Sequence, residues 1–187
     1  IINMMNTKYI IYSPKEYEIN WNSLGHAWFV DDYAKVKNAD EEMAMLGKFN
    51  PKKTAIIDER FKTVIDKLPE PQFFSLDTGY IELTAYKPNH LTYKSGTRSD
   101  RLAVFSEIYY DKGWNAYVDG FLTDHIRVNY ILRGMIVPKG VHTIEFKFEP
   151  KTYAISQKIA FSSSILVVFL LLGVTGISYR KRKKVIA

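Results

Sequence analysis

Val141-His142-Thr143-Ile144-Glu145-Phe146-Lys147-Phe148 decides the fold. Val141, Thr143, Glu145 and Lys147 alternate with His142, Ile144, Phe146 and Phe148, the period of a strand with one face turned to a core. The same grammar repeats upstream. Pro138-Lys139-Gly140 is a turn, and Tyr130 to Val137 is the strand before it. Asp119-Gly120 closes Trp114 to Val118 as a tight hairpin turn, with Gly suited to positive φ and Asp able to bond its own backbone. Further back lie Leu102 to Tyr110, His90 to Lys94 ending at Ser95-Gly96, and Tyr80 to Tyr86 ending at Pro88-Asn89. Strands spaced roughly 8–12 residues apart, with turn residues between them, predict an antiparallel β-sandwich or jelly-roll-like domain. We bound it at residues 71–152.

Residues 1–70 read as a small α/β lobe. Thr7 to Tyr12 is a strand stopped by Ser13-Pro14, and a second strand starts at Ala27-Trp28-Phe29-Val30 and runs to about Val36. A short helix opens at Asn38-Ala39-Asp40-Glu41-Glu42 and continues through Leu46. Its acidic first turn suits the helix dipole, with Asn38 or Asp40 as cap. Ala55 to Asp58 is another short strand, and Lys67-Leu68-Pro69-Glu70-Pro71 is the best linker candidate.

Downstream of the sandwich, the run from Ile159 to Tyr179 contains no Asp, Glu, Lys or Arg and leads into Arg180-Lys181-Arg182-Lys183-Lys184. A helix of that run is about 31 Å long, the thickness of a bilayer's hydrocarbon core. We expect a transmembrane helix over 153–180, anchored between Ile159 and Tyr179, and a basic tail over 181–187. Basic residues beside a span stay cytoplasmic, so residues 1–158 are expected outside and the C-terminus inside. A tail-anchored protein with the domain in the cytoplasm would put five consecutive basic residues on the wrong side.

The formal charge of +6 reports this topology. All 20 acidic residues and 21 of the 26 basic ones precede the span, so the outer part is nearly neutral and a nucleic-acid partner is not expected. There is no cysteine, hence no disulfide, thiolate metal site or cysteine nucleophile. Ile1-Ile2-Asn3-Met4-Met5-Asn6 lacks the basic region, apolar core and cleavage site of a signal peptide. The expectation is a C-terminal piece of a longer multi-span protein whose upstream transmembrane helices carry the domain across.

The block Phe105-Ser106-Glu107-Ile108-Tyr109-Tyr110-Asp111-Lys112-Gly113-Trp114-Asn115-Ala116-Tyr117-Val118-Asp119-Gly120 resembles a signature of the YfhO-like bacterial membrane proteins. So do Asn129 to Gly134, Val137 to Phe146, Phe148-Glu149-Pro150 with the following span, and the N-terminal stretch Asn3 to Ile11. Gly25 to Val30 is similar too, although the family more often has Asn at the position of His26. The resemblance implies a large multi-pass protein of the bacterial inner membrane, similar to GT-C glycosyltransferases. Such enzymes take sugar from a polyprenyl-phosphate carrier and add it to an envelope glycan on the outer face. Catalytic carboxylates of that superfold lie on the first large outer loop, so no catalytic residue is carried over to this chain.

The residues themselves give few chemical candidates. Asp31-Asp32 is the only adjacent aspartate pair, but neighbours on a strand point to opposite faces and would not share a substrate. His26, His90, His125 and His142 lack metal-site spacing, and His142 is expected to bond backbone or a neighbouring loop. No phosphate loop or nucleophile elbow is present, so this part is expected to need no cofactor or metal of its own. Tyr109, Tyr110, Trp114 and Tyr117 either fill the core or stack on sugar. Tyr110 and Trp114, flanking the Asp111-Lys112-Gly113 turn, are the candidate glycan contacts. Arg133 sits among apolar neighbours. Its stem packs while its head reaches an edge carboxylate such as Glu107, or it contacts carrier phosphate or acceptor. In the span, Ser162-Ser163-Ser164, Gly173 and Gly176 are expected to let other helices of the same protein approach, and the basic cluster to touch anionic lipid.

The fold expected is therefore mainly β, with a small α/β N-terminal segment and one C-terminal transmembrane helix. Its role is structural or acceptor-binding within a lipid-carrier-dependent glycosyltransferase. The alternative is a non-enzymatic, membrane-anchored binding module in envelope assembly.

Overall fold

The computed structural model describes residues 1–67 and 79–186. The chain divides into two compact units, Ile1–Phe148 and a second from Glu149 onward. The first contains β1 (Tyr9–Ser13), β2 (Glu16–Ile19), β3 (Ala27–Phe29), β4 (Asp32–Val36), α1 (Ala39–Met45), β5 (Thr54–Asp58) and the one-turn α2 (Lys62–Ile65). It continues with β6 (Tyr80–Lys87), β7 (His90–Thr97), β8 (Arg101–Ile108), β9 (Trp114–Val118), β10 (Phe121–Thr123), β11 (Ile126–Val128), β12 (Leu132–Val137) and β13 (Gly140–Phe148). The second unit is α3 (Lys151–Ile186). The protein is mainly β, as the patterning predicts.

A five-stranded antiparallel sheet, in the order β10-β9-β13-β7-β6, faces a four-stranded one, β11-β12-β8-β3. The alternation read in Val141–Phe148 points Ile144 and Phe146, both fully buried, into the space between them. There Tyr93, Phe105 and Phe146 meet edge to face, with ring centroids 4.9–6.1 Å apart.

β8 explains how the N-terminal residues join this sandwich. Ala103 and Phe105 face the five-stranded sheet, whereas Leu102 and Val104 face the other way, into a second core with Met4, Val30, Val36, Leu46, Ile56 and Val64. The four-stranded sheet is thus buried on both faces, which is why β8 reads as a nearly continuous apolar run. This second core draws on residues from both sides of position 70. That position and the Leu68–Pro71 part of the expected linker lie outside the described residues.

The strand expected from Ala27 to Val36 is broken in two. β3 pairs with β8, and β4 pairs in parallel with β5 across α1, the crossover that a parallel pair requires. At the break, the amides of Asp31 and Asp32 both donate to the Lys53 carbonyl, so neither is free to continue the β3 ladder. Asn38 caps α1 by accepting from the Glu41 amide at 3.0 Å.

Within α3, the stretch long and apolar enough to cross a membrane is Ile155–Gly176. It begins four residues before the uncharged run and includes Lys158, whose long stem lets its ammonium reach an interface. Ser162, Ser164 and Thr175 bond carbonyls one turn back at 2.8–2.9 Å, so their hydroxyls are satisfied without water.

Candidate functional site

The signature block wraps around Arg133. β12 pairs with β8 so that Leu132 opposes Ile108 while Arg133 opposes Phe105, a bulge that leaves Ser106 and Glu107 unmatched. Bulges re-aim side chains. Here the bulge lets Arg133 Nε donate to the Ile108 carbonyl at 3.0 Å and sends the guanidinium inward. Arg133 is 2% exposed. The guanidinium lies 4.2 Å from the Trp114 ring and 5.1 Å from Phe146, close enough for cation–π attraction to both. Its Nη1 is buried with no protein partner among the described residues.

The surroundings of Arg133 are polar yet largely closed. Glu107 is half-buried, and burial raises its pKa while the Arg133 charge opposes that rise. Burial first and Arg133 second depress His125 to about 4, so its ring is neutral at physiological pH. Burial also raises the pKa of Tyr93, whose hydroxyl, like His125 Nε2, has no partner among the described residues. No ion pair joins Arg133 to Glu107 among the described residues. The Ile108 carbonyl accepts in place of the edge carboxylate expected from sequence.

The aromatic candidates separate cleanly. Tyr109 points inward, packed between Phe61 and His125 at 5.9 and 5.4 Å, while Tyr110, the next residue, is 49% exposed. Gly113, at φ 141, turns the chain into β9. Trp114 opens that strand partly exposed, with Phe148 5.4 Å away and Arg133 beneath it. Trp114 is therefore a ring held in place by a buried cation, with Tyr110 exposed in the loop before it. Its remaining surface is the chemistry of a stacking platform.

Other sequence candidates disperse. Asp31 bonds Arg101 at 2.8 Å, whereas Asp32 accepts from the Tyr33 amide at 2.7 Å. His90 pairs with Glu145 and His142 with Asp119, while His125 packs against Tyr109 and Phe146. Among the described residues, no three His, Cys, Asp or Glu side chains converge as a metal site.

Two constellations had no sequence signal. Fully buried Glu42 accepts from the Tyr130 amide at 2.6 Å and from Arg127 at 2.7 Å, joining α1 to β11 and the turn after it. Burial raises the Glu42 pKa against the pull of those donors. Separately, Phe29, Asp31, Lys52, Lys53, Tyr80 and Arg101 line an open cleft of about 430 Å³, with the Arg101 guanidinium 5.0 Å from the Phe29 ring. These residues come from four separate segments, and only the fold assembles them.

A two-layered sandwich with a buried cation–aromatic knot, followed in the chain by a membrane-capable helix, defines a β-rich folded domain with one candidate span. Residues 60–160 match the family described as bacterial membrane protein YfhO, and the chain belongs to that family. No curated protein and no solved structure matches it.

Proposed function

We propose that this chain supplies an outer domain and one transmembrane helix of a multi-pass, lipid-carrier-dependent glycosyltransferase of the bacterial inner membrane. Residues 1–158 lie outside and Arg180–Lys184 in the cytoplasm. The domain binds or orients the envelope glycan that accepts the sugar. A polyprenyl-phosphate sugar is the donor, and the carboxylates that perform transfer belong to other loops of the intact protein.

The observation that carries this reading is the Trp114 platform. Trp114 pairs in register with Phe148, the last residue of β13, so the platform lies at the end where the chain leaves the sandwich for α3. An acceptor stacked there is held close to where a lipid-linked sugar is presented. Arg133, behind the ring, is a positioning residue, and Tyr110 is the exposed companion.

The test uses a strain lacking the full-length gene, complemented with the wild type or with Tyr110→Ala. Deletion is expected to remove one sugar modification from the envelope, read by mass spectrometry of isolated glycans. Tyr110→Ala is expected to lower that modification several-fold at unchanged membrane abundance. Glycans unaltered by the deletion would overturn the transferase reading in favour of a non-enzymatic binding module.

A further inference from the structure

The β1–β2 hairpin is apolar where it should be wet. Its strands pair only with each other among the described residues. The register sets Tyr9 against Ile19 and Ile11 against Tyr17, placing all four on one face. Ile11 is 73% exposed, and Trp21, just beyond the hairpin, is 83% exposed. An isolated two-stranded ribbon is marginal in water, and such a surface marks an interaction site.

The location of the hairpin identifies the occupant. Asn20 ties its base, donating from its amide to the Lys8 carbonyl at 2.8 Å and from its side chain to Thr7 and Asn3 at 2.9 Å. The adjoining Met4 is buried, and its carbonyl accepts from Ser106 Oγ at 3.0 Å. Two residues beyond Ser106, the Ile108 carbonyl accepts from Arg133, Arg133 underlies Trp114, and Trp114 pairs with Phe148. The hairpin base and the exit toward α3 therefore share one end of the sandwich, where Ile108 and Tyr110 are also exposed. Six residues, 149–154, separate Phe148 from the apolar stretch beginning at Ile155. Even fully extended they reach only about 21 Å, so this end is tethered at a bilayer surface. Tyr and Trp rings beside aliphatic side chains are what the headgroup region takes up.

We propose that the exit end of the sandwich, led by Tyr9, Ile11, Tyr17 and Trp21, docks into the headgroup layer of the bilayer that α3 enters. The inference requires a membrane protein, which the family is, and stands whether or not the chain transfers sugar.

The absence of cysteine makes the test direct. Ile11→Cys, Trp21→Cys and Phe121→Cys, all at exposed positions, are nitroxide-labelled in the full chain. They are then placed in phosphatidylethanolamine–phosphatidylglycerol nanodiscs. Phe121 follows the Asp119-Gly120 turn at the opposite end of β9 from Trp114 and serves as the aqueous reference. The hairpin labels are expected to show several-fold lower accessibility to a nickel chelate than Phe121→Cys, with oxygen accessibility kept or raised. Nickel accessibility equal to the reference would overturn docking. So would protection from both reagents. Spin–spin broadening that vanishes on dilution with unlabelled chain would assign the face to a second copy instead.

Discussion

His142 holds two turns with one ring. Its Nδ1 lies 2.6 Å from Asp119 Oδ2, and its Nε2 lies 2.9 Å from the Lys139 carbonyl. Only the doubly protonated imidazole donates to both. The Asp119 bond, then the Lys139 carbonyl, raise the His142 pKa; the His142 bond, then the Thr143 amide, lower that of Asp119. A raised histidine pKa gives stability that is complete below the unfolded value of about 6.5 and is lost as pH climbs through the folded value. A lowered aspartate pKa gives stability that is complete above about 3.9 and is lost as pH falls through the folded value. The clamp is therefore strongest between those limits. Asp119 is 46% exposed, so solvent screens the pair and its worth is about 0.5–1 kcal/mol. Denaturant unfolding of the full chain in detergent, compared at about pH 5.5 and about pH 8.5, should show that much less difference in His142→Gln than in the wild type. An unchanged pH difference would show that the clamp contributes nothing. The sequence anticipated that His142 would bond backbone or a neighbouring loop. Its ion-pair partner, Asp119, it read only as a turn residue.

At the scale of elements, the turn after β11 stitches the N-terminal layer to the sandwich. Asn129 donates its amide to the Ile56 carbonyl at 2.9 Å and accepts from the Ile56 amide through Oδ1 at 2.8 Å. Asn129 and Tyr130 sit at φ 50 and 74, both left-handed, a region that asparagine adopts at lower cost than alanine. Asn129→Ala strands a buried amide and strains the turn, so it should destabilise the chain by about 2–4 kcal/mol. Asn129→Gly removes only the side-chain bond and should cost about 1–3 kcal/mol. Equal losses in chemical denaturation would refute a role for the backbone conformation. None of this was legible beforehand. β2, β10 and β11 are only three or four residues long, too few positions to display a period. By contrast, Trp114–Val118 and the Asn38 cap were readable, because an alternating run bounded by turn residues and an Asx before a helical pattern are local signals. The candidate site falls between these cases. Trp114 and Arg133 stood out singly, but nothing local reveals that a bulge in β8 would slide one beneath the other.

At the scale of the whole molecule, charge decides what the folded unit meets. The chain ahead of the tail carries 21 basic against 20 acidic residues, while the five tail residues Arg180–Lys184 are all basic. On the opposite flank, Lys158 is the one formal charge inside Ile155–Gly176. We propose that these five charges keep the tail in the cytoplasm, with the sandwich on the outer side. Residues 1–187 contain no cysteine, so the orientation is read by labelling cysteines introduced into this chain. Lys139→Cys, on an exposed turn away from the exit end, should react with a membrane-impermeant maleimide in intact spheroplasts. Ala187→Cys should react only after permeabilisation. Replacing all five tail residues with glutamine should make both positions partly reactive, since it removes the basic flank that favours this orientation. If Lys139→Cys labels only after permeabilisation, the sandwich faces the cytoplasm and the acceptor-glycan role falls. Bilayer docking of the Tyr9–Trp21 region would survive that outcome, because it depends on the tether and not on which face of the membrane the tether emerges from.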